Sequence, residues 1–391
     1  MLYANDNLAT LTGAVLNVKP NCDPSLAQTF INQRLRSLLD MRVFWAGGTQ
    51  RGVVSVPQSY NVGNITTALG SNVVTGVGTS WPVNDIVSTS LTSNIRQPGL
   101  QVVSPASMQN ISVDTWLYVG AGGPKPEVVY VLSTTPTTFT ASFSYPHNTA
   151  ETITCSSFAG RTMRFGFQIP NYLITAIVDP STLLIEFPFA GTALTNVSYT
   201  ILKNLYIFAP RLKALLSVVD PYQATELITN YPIQNLNAED PQRTSIDFPR
   251  VVATHSISPA GSALFEVWPS PTQARQLYFE YYAQPEDLVA PGDRPPAYLN
   301  PQVIVMGAIA DALRTKIGVD SAAPDSAMDP YYDPAVADIW EQRFAQGAEN
   351  LCNADNNLYN QQYTWRKTQF GFPSGANWAR SHDWDAFMGN W

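Results

Sequence analysis

The middle of the sequence carries almost no charge, and this constrains the fold more than any other feature. Between Gly52 and Gly160 only six residues are charged: Asp85, Arg96, Asp114, Lys125, Glu127 and Glu151. Short apolar runs in this stretch alternate with turns rich in Gly, Pro, Asn and Thr, which is the pattern of short β-strands. Because sheets normally place charged side chains on their edge strands to prevent unwanted pairing, we predict that these edges are covered, either within the fold or by neighbouring subunits.

The β signal continues beyond the uncharged stretch. The candidate strands are 52–56, 71–76, 100–104, 115–119, 127–132, 137–143, 164–169, 183–187 and 197–202. A second β segment is predicted at 250–282, where Leu277, Phe279 and Tyr281 alternate with their neighbours in the chain.

Helical signals lie on both sides of the β region. Residues 24–41 place apolar side chains at spacings of three and four after an Asp-Pro pair, which is a favourable helix start. The same kind of start opens predicted helices at 301–317 and 334–351, and a shorter helix is predicted from Pro210 to Leu216. The helix at 334–351 is expected to bury Val336, Ile339, Trp340, Phe344 and Leu351.

Composition excludes several classes of function. Charged residues make up 13 % of the chain, about half of the usual quarter, while 45 % of the residues are hydrophobic and supply a core. The 22 Lys and Arg residues are spread thinly against 30 Asp and Glu, a net charge of -8, so no basic stripe is available for nucleic acid. No apolar run approaches the roughly 18 residues of a membrane-spanning helix, and no secretory signal is expected.

The three cysteines, Cys22, Cys155 and Cys352, are odd in number and far apart. They fit neither a disulfide framework nor a zinc site. We therefore expect reduced thiols in a protein made in the cytosol.

Groups that could support catalysis are scarce. The histidines, His147, His255 and His382, fall in a turn, an alternating strand and the tail, without the spacing of a metal site. Structural or solvated roles are expected for all three.

Three further patterns resemble reactive sites only superficially. The run Gly120–Lys125 lacks the Gly-Lys-Ser/Thr and the following helix of a phosphate loop, so it is predicted to be a hairpin loop. Ser262 lacks the second glycine of a nucleophile elbow and falls between two strands. The carboxylate pairs Glu239-Asp240 and Glu286-Asp287 fall in loops, which favours solvated charges over a glycosidase pair.

We therefore predict that the chain is not an enzyme, with no catalytic, cofactor-binding or metal-binding residues. Aromatic side chains accompanied by Asn and Gln leave carbohydrate binding open, although burial at an interface is the commoner role of Tyr and Trp.

Three stretches of the sequence carry a resemblance to a known family. The first comprises helix 24–41, Trp45, Gly52–Val56 and the hairpin Gly70–Trp81, and it resumes at Tyr172–Ile177, Thr182–Leu184, Phe187–Gly191 and Tyr199–Ile201. The second, at about 98–154, contains Val102–Met108, Glu127–Val129 and Thr137–Ala141. The third, Leu205–Lys316, contains Pro210–Val218, Leu264–Pro271, Leu277–Tyr282, Pro295–Tyr298 and Val303–Arg314. Together these stretches resemble the head-to-tail adaptors, or connectors, of tailed-bacteriophage necks, with small inserted β modules of phage structural proteins.

The resemblance implies an α+β fold. Its helical adaptor body would have three main helices plus a short β segment, with inserted all-β domains and an extended C-terminal arm. The implied parts are an N-terminal arm and first adaptor helix at 1–50, an inserted β region at 51–203 with a second β module at about 98–154, the adaptor body at 204–352, and the arm at 353–391.

The resemblance also implies a function. The chain would form a homo-oligomeric ring, commonly of twelve copies, that joins the portal protein to the next neck or tail protein. DNA would pass through the lumen as cargo, and no membrane would be involved. The protein would lie in the virion, in the neck between capsid and tail, after assembly in the host cytoplasm. Low charge suits a subunit that buries much of its surface against neighbours, and an acidic lumen would not retain DNA.

The tail from Asn353 to Trp391 is rich in aromatic residues but shows no helical or strand period. This pattern favours an extended arm that becomes ordered on a partner. The predicted portal-binding or partner-binding residues are Trp365, Phe370, Phe372, Trp378, Trp384 and Trp391.

Two alternatives stay open at the level of sequence. One is a tail tubular or tail-completion protein of the same virion. The other belongs to a different class, a glycan-binding component for receptor recognition or a depolymerase.

Overall fold

Strands outnumber helices in the computed structural model, which describes residues 6–165, 172–316 and 329–369. Strands account for 35 % of the chain and helices for 23 %, with five α-helices and large antiparallel sheets. The predicted helical adaptor body is therefore wrong. The sequence overemphasises the helices because their periodic apolar patterns are long. More than half of the strands have only four or five residues, so their alternating pattern is a weaker sequence signal.

The helices are α1 (Leu8–Val18), α2 (Pro24–Asp40), α3 (Ile233–Glu239), α4 (Pro301–Arg314) and α5 (Pro334–Gln369). The strands are β1 (Thr49–Val56), β2 (Asn64–Thr67), β3 (Val73–Val77), β4 (Val87–Ser90), β5 (Gly99–Val103), β6 (Trp116–Val119), β7 (Glu127–Thr134), β8 (Phe139–Phe143), β9 (Thr152–Cys155), β10 (Thr162–Phe165), β11 (Tyr172–Asp179), β12 (Thr182–Ile185), β13 (Leu194–Val197), β14 (Tyr199–Leu202), β15 (Leu205–Tyr206), β16 (Leu212–Asp220), β17 (Thr225–Glu226), β18 (Ile228–Tyr231), β19 (Val251–Ile257), β20 (Ala263–Trp268) and β21 (Arg275–Ala283).

The chain divides into two compact units. The helical unit consists of Met1–Thr49 and Gln284–Trp391 and contains α1, α2, α4 and α5. The β unit, Gln50–Ala283, contains α3 and the sheets. The four-part division implied by the resemblance stays a prediction.

The three main helices predicted from the sequence are present, and their starts follow the expected chemistry. The Asp23 carboxylate accepts a hydrogen bond from the Ser25 backbone N–H at 2.7 Å, and the Asn300 side chain accepts one from Gln302 at 2.9 Å. In both helices proline occupies the first turn, where its missing N–H costs nothing. These local interactions fix the first residues of α2 and α4.

The end of α4 is fixed by a buried lysine. Lys19 Nζ donates to the carbonyl oxygen of Ala312 at 2.9 Å and also to that of Thr315. The same ammonium pairs with Asp329 at 2.9 Å, and both side chains are fully buried. A cation at a helix C-terminus satisfies free carbonyl groups, which explains why α4 ends at Arg314, before the predicted residue 317.

Charged side chains connect the three long helices of the helical unit. Arg34 on α2 donates from Nε to Asp311 on α4 at 2.6 Å and from Nη1 to Glu341 on α5 at 2.8 Å. The guanidinium also lies 4.8 Å from the centre of the Phe344 ring. Because these partners come from three helices, the network fixes the relative positions of α2, α4 and α5.

Helix α5 continues well beyond the predicted residue 351. The prediction of an extended arm from residue 353 is wrong for 353–369, which are helical, while 370–391 lie outside the described residues. Asp355 stabilises this extension because its carboxylate accepts from the backbone of Ala46 at 3.0 Å and pairs with Arg42 at 3.0 Å. The extension has few apolar residues, so its sequence shows no helical stripe.

The short helix predicted from Pro210 to Leu216 is also wrong. These residues lead into β16, which pairs antiparallel with β21 so that Leu215 faces Tyr281 and Val218 faces Phe279. The sheet order is β1-β21-β16-β17, and a second sheet, β15-β20-β19-β18, shares its core. Pairing with a distant strand overrides the local leucine spacing that favoured a helix.

The seven-stranded sheet closes on itself. Its order is β13-β2-β3-β12-β11-β10-β14, and only Ser198 separates β13 from β14. This continuous segment pairs with β2 on one side and with β10 on the other. Two backbone hydrogen bonds between Tyr60 and Ile201 complete the closure.

The two edges of the six-stranded sheet, β4-β9-β6-β7-β8-β5, also meet, but through an isolated bridge between Leu91 and Pro105. Its strands fall in the chain between β3 and β10 of the other closed sheet. The edges meet where Thr92 donates its backbone N–H to Ser104 and Ala106 donates to Ser90. In both sheets the two edges are joined within the fold, while cover along every edge of residues 52–160 stays a prediction.

A buried aspartate organises the turn after α3. The Asp240 carboxylate accepts from the backbone N–H groups of Thr244 at 2.8 Å and Ser245 at 2.9 Å, and from Trp268 Nε1 at 2.9 Å. Burial alone would raise the pKa of Asp240, but these hydrogen bonds to the ionised form outweigh it and lower the pKa to about 2.

We expect Asp240→Asn to destabilise the β unit at neutral pH and to lose this effect in acid. The ionised carboxylate stabilises the fold fully above its ordinary pKa of 3.8, and the contribution disappears as the pH falls towards 2. Asparagine cannot accept all of these hydrogen bonds, so at least one buried donor loses its partner. Urea unfolding followed by tryptophan fluorescence should show a midpoint difference that shrinks between about pH 5 and pH 2.5.

Asp247→Asn is the matched control, because Asp247 pairs with Arg250 on the surface and such pairs contribute little. A midpoint difference for Asp240→Asn that stays constant over this pH range would contradict the assignment.

Candidate functional site

The most elaborate cluster of titratable groups in the closed sheets surrounds His147. Its side chain is 1 % exposed. The Nε2 atom lies 2.7 Å from Glu127 Oε1, and Nδ1 lies 2.6 Å from Glu151 Oε2. Both ring nitrogens therefore face carboxylate oxygens within hydrogen-bond distance.

The two carboxylates are themselves held by the backbone. Glu127 accepts from the N–H groups of Ser144 at 2.7 Å and Tyr145 at 3.1 Å, and Glu151 accepts from Asn148 at 2.9 Å. Burial raises the pKa of Glu151, but the hydrogen bonds from Asn148 and His147 outweigh it and the pKa is lowered overall. The cluster therefore fixes the segment 144–151 against the start of β7.

Gly120 makes room for this cluster. Its φ angle is +74°, and a Cβ atom there would lie 2.9 Å from Glu151 Oε2 and 3.2 Å from His147 Nδ1. Gly120 belongs to the loop between β6 and β7, so the predicted hairpin at Gly120–Lys125 is confirmed. The glycine serves close packing against a buried side chain.

The geometry around His147 suits a structural role better than catalysis. Both ring nitrogens are occupied by carboxylates, so neither is left to activate a nucleophile. The sequence showed the four-residue spacing of His147 and Glu151, but Glu127 joins them only through the pairing of distant strands. The scarcity of charge was itself a signal in the sequence. Glu127 and Glu151 are two of only six charged residues between positions 52 and 160, and both contact the same histidine.

The other candidate reactive residues do not converge. His255 is exposed on β19, and His382 lies outside the described residues. Ser262 lies between β19 and β20, as predicted. Asp240 is a buried turn residue rather than a solvated one, and Asp287 pairs with Arg36. Within the described ranges, no group of three or more His, Cys, Asp or Glu side chains is arranged to hold a metal ion.

The predicted partner-binding aromatic residues fall almost entirely beyond the described chain. Trp365 lies on α5, although its side chain is not among those described. The remaining predicted residues lie outside the described ranges, namely Phe370, Phe372, Trp378, Trp384 and Trp391. Their proposed contacts stay predictions.

An uncovered apolar stripe on α5 is the strongest candidate for a functional surface. We name it the outer face of α5 and define it by Val336, Ile339, Trp340 and Arg343, which recur at helical spacing. Val336 is 38 % exposed and Ile339 is 50 % exposed. The predicted burial of these two residues is therefore wrong.

A different stripe of α5 forms the core. Ala337, Phe344 and Ala348 are buried, and Gly347 lets α4 approach closely, since a Cβ there would lie 2.8 Å from Val303. Helix α5 thus has two apolar stripes. One consists mostly of small residues and packs into the core of the helical unit, while the other consists of larger residues and is exposed. The single buried stripe predicted from the sequence mixed the two faces, so the burial of Phe344 is confirmed while that of Val336 and Ile339 is not.

A shallow groove borders the outer face of α5. It has a volume of about 390 Å³ and is lined by residues of α4 and α5 and by Asn300, which caps α4. Its polar lining is mainly amides, from Asn300, Gln302, Gln346 and Asn350, with one cation, Arg343, which also lies 5.0 Å from the centre of the Trp340 ring. The combination of exposed aliphatic, aromatic and arginine side chains with few carboxylates is typical of a protein-binding surface.

A search of family models and of curated proteins finds no match to this chain. Within the ranges that the structure describes, none of the helices has the length and apolar character needed to cross a membrane.

We expect His147→Gln to destabilise the closed six-stranded sheet by about 2–4 kcal/mol, because a glutamine cannot reach both carboxylates and one of them loses its hydrogen-bond partner. Urea unfolding monitored by tryptophan fluorescence measures this loss. His255→Gln makes the same change on an exposed strand position and should leave the midpoint almost unchanged. Equal midpoints for both variants would rule out the role assigned to His147.

Proposed function

We propose that this chain is a structural virion protein whose copies form a ring that joins the portal to the tail and lets DNA pass through its lumen. The observation that carries the proposal is the outer face of α5. Exposed apolar stripes of this kind mark surfaces that bind other proteins. The resemblance of three stretches of sequence to phage neck adaptors supplies the identity of the assembly.

The proposed ring uses the outer face of α5 as one half of the contact between neighbouring copies. A ring contact joins two different surfaces of identical subunits. An apolar stripe flanked by amides and an arginine fits this role, because interface cores are depleted of charged residues but enriched in aromatic residues and arginine. The closed sheets lie in the other unit, and their edges need no neighbour.

The charge balance of the chain suits a DNA conduit. Each copy carries a net charge of -8, so a ring of several copies has a strong negative field. Such a field repels the phosphate backbone and keeps passing DNA from binding the wall. The proposed partners are the portal protein on one side and the next neck or tail protein on the other.

We expect Ile339→Glu to weaken self-association by at least about tenfold, because it places a charge in the proposed interface core. Light scattering after size-exclusion chromatography measures the oligomer, and negative-stain micrographs show whether rings form. Ala345→Glu adds the same charge to another exposed face of α5 and should assemble like the unaltered protein. Rings that form equally well with Ile339→Glu would contradict the role of this face.

We expect deletion of residues 370–391 to leave rings that no longer co-purify with portal protein. The deletion removes five of the six predicted aromatic anchors but keeps the Asp355 contacts that hold α5. A full-length variant with Phe370, Phe372, Trp378 and Trp384 changed to Ser tests the aromatic side chains at constant length. Rings of either variant that still co-purify with portals would exclude this segment as the portal-binding element.

A further inference from the structure

Two cations, Arg161 and Lys203, lie close together in the β unit, at one end of the paired strands β10 and β14. These strands pair antiparallel, with Thr162 opposite Leu202. Continuing this register by one position sets Arg161 against Lys203, and the charge of Arg161 acts on the pKa of Lys203. Opposite residues of an antiparallel pair point to the same face of the sheet, with Cβ atoms about 5 Å apart.

Like charges in this arrangement normally destabilise a sheet. Here the cost is increased by partial burial, since both side chains are shielded from full contact with water. Burial is the largest cause that lowers the pKa of Lys203, and the charge of Arg161 lowers it further. Burial also lowers the pKa of Arg161. The charged form of Lys203 is therefore disfavoured both by burial and by the neighbouring guanidinium.

The surrounding groups hold the two side chains but do not neutralise them. Arg161 Nε donates to the carbonyl oxygen of Ser157 at 2.8 Å, and its guanidinium lies 4.5 Å from the centre of the Phe158 ring. Lys203 Nζ lies 5.2 Å from the centre of the Tyr206 ring. In the described parts of the chain, neither cation forms an ion pair with a carboxylate.

Asp85 is the acidic group whose charge acts on Arg161, although the two side chains form no ion pair. Asp85 influences the pKa of Arg161 from a distance, but its Oδ1 accepts the backbone N–H of Ser157 at 2.8 Å. The terminal nitrogens of Arg161 and the ammonium of Lys203 have no acceptor among the described residues. Neither residue is fully buried, so each keeps part of its surface exposed to solvent.

We propose that Arg161 and Lys203 form a binding site for an oxyanion. A phosphate or carboxylate group placed between them would accept hydrogen bonds from the guanidinium and the ammonium together, and it would replace their mutual repulsion by two attractions. The rings of Phe158 and Tyr206 hold the cations in position before the anion arrives. This site goes beyond the proposed ring function and does not depend on it.

The oxyanion could be a free inorganic ion or a carboxylate of another protein molecule. The second source is consistent with the composition of the chain, which has 30 Asp and Glu against 22 Lys and Arg and so presents surplus carboxylates to any neighbouring copy. The shared chemistry of the two sources is a negatively charged oxygen pair, and the following experiment separates them.

The first arm measures thermal unfolding of the full chain in sodium phosphate and in sodium chloride at equal ionic strength. We expect phosphate at about ten times its dissociation constant to raise the unfolding temperature by roughly 3 °C more than chloride does. Lys203→Met keeps the buried stem, relieves the repulsion and should fold well, but it should lose the specific phosphate shift. Arg161→Gln should lose it as well.

Arg96→Gln is the matched control, because it removes a cation from an exposed position outside the site. The second arm measures self-association of the same variants by light scattering with and without phosphate. A phosphate shift with unchanged association identifies a free oxyanion as the ligand. Association that is weakened both by phosphate and by Lys203→Met, but not by Arg96→Gln, identifies a carboxylate of another molecule.

The oxyanion proposal is overturned if Lys203→Met and the unaltered protein show the same response to phosphate and the same association.

Failure of the ring proposal gives a different result. In that case neither the unaltered protein nor any of the variants, Arg96→Gln included, forms rings, but phosphate still raises the unfolding temperature of the unaltered protein.

Discussion

Hydrogen bonding at the strand edges is the constraint on which the β unit depends. An open sheet of short strands exposes rows of N–H and C=O groups to any passing chain. Both small sheets avoid this by closure, one through the continuous segment 194–202 and the other through the contact of Ser90–Thr92 with Ser104–Ala106. Closed sheets need no charged side chains to protect their edges, so a region with six charges in more than a hundred residues can still fold as a discrete structure.

Because the two sheets close within one chain, low charge in residues 52–160 does not by itself indicate contacts with neighbouring subunits. The scarce charges of the uncharged region are mostly used internally, since Glu127 and Glu151 hold His147, and Asp114 accepts the Tyr130 hydroxyl at 2.7 Å. Low charge there is accounted for within one chain and gives no separate argument for neighbouring subunits. The case for assembly therefore depends on the helical unit, where the outer face of α5 is apolar and exposed.

Sequence reasoning succeeded where the signal is local. The starts of α2 and α4 follow from an Asx-Pro pair, and most strands follow from alternation between turn residues. Prediction failed where pairing between strands that are distant in sequence determines the structure. Strand β16 has the leucine spacing of a helix but pairs with β21. The closure of a sheet cannot be read from the sequence of any single strand. The His147 cluster was missed for the same reason, because Glu127 is twenty positions away in the chain. Contacts that are again distant in sequence, such as those of Asp355 with Ala46 and Arg42, explain why α5 continues past residue 351.

The paths into and out of the six-stranded sheet run side by side. Ile86 donates its backbone N–H to Cys155, Ser156 donates its hydroxyl to the carbonyl oxygen of Pro82, and Ser157 donates its N–H to Asp85. The two ends of the insertion are thus joined next to the sheet that hosts it. The six-stranded sheet is therefore an insertion whose two ends lie side by side. A short turn could join these ends without displacing any strand of the seven-stranded sheet. A different closed sheet could be inserted at the same position.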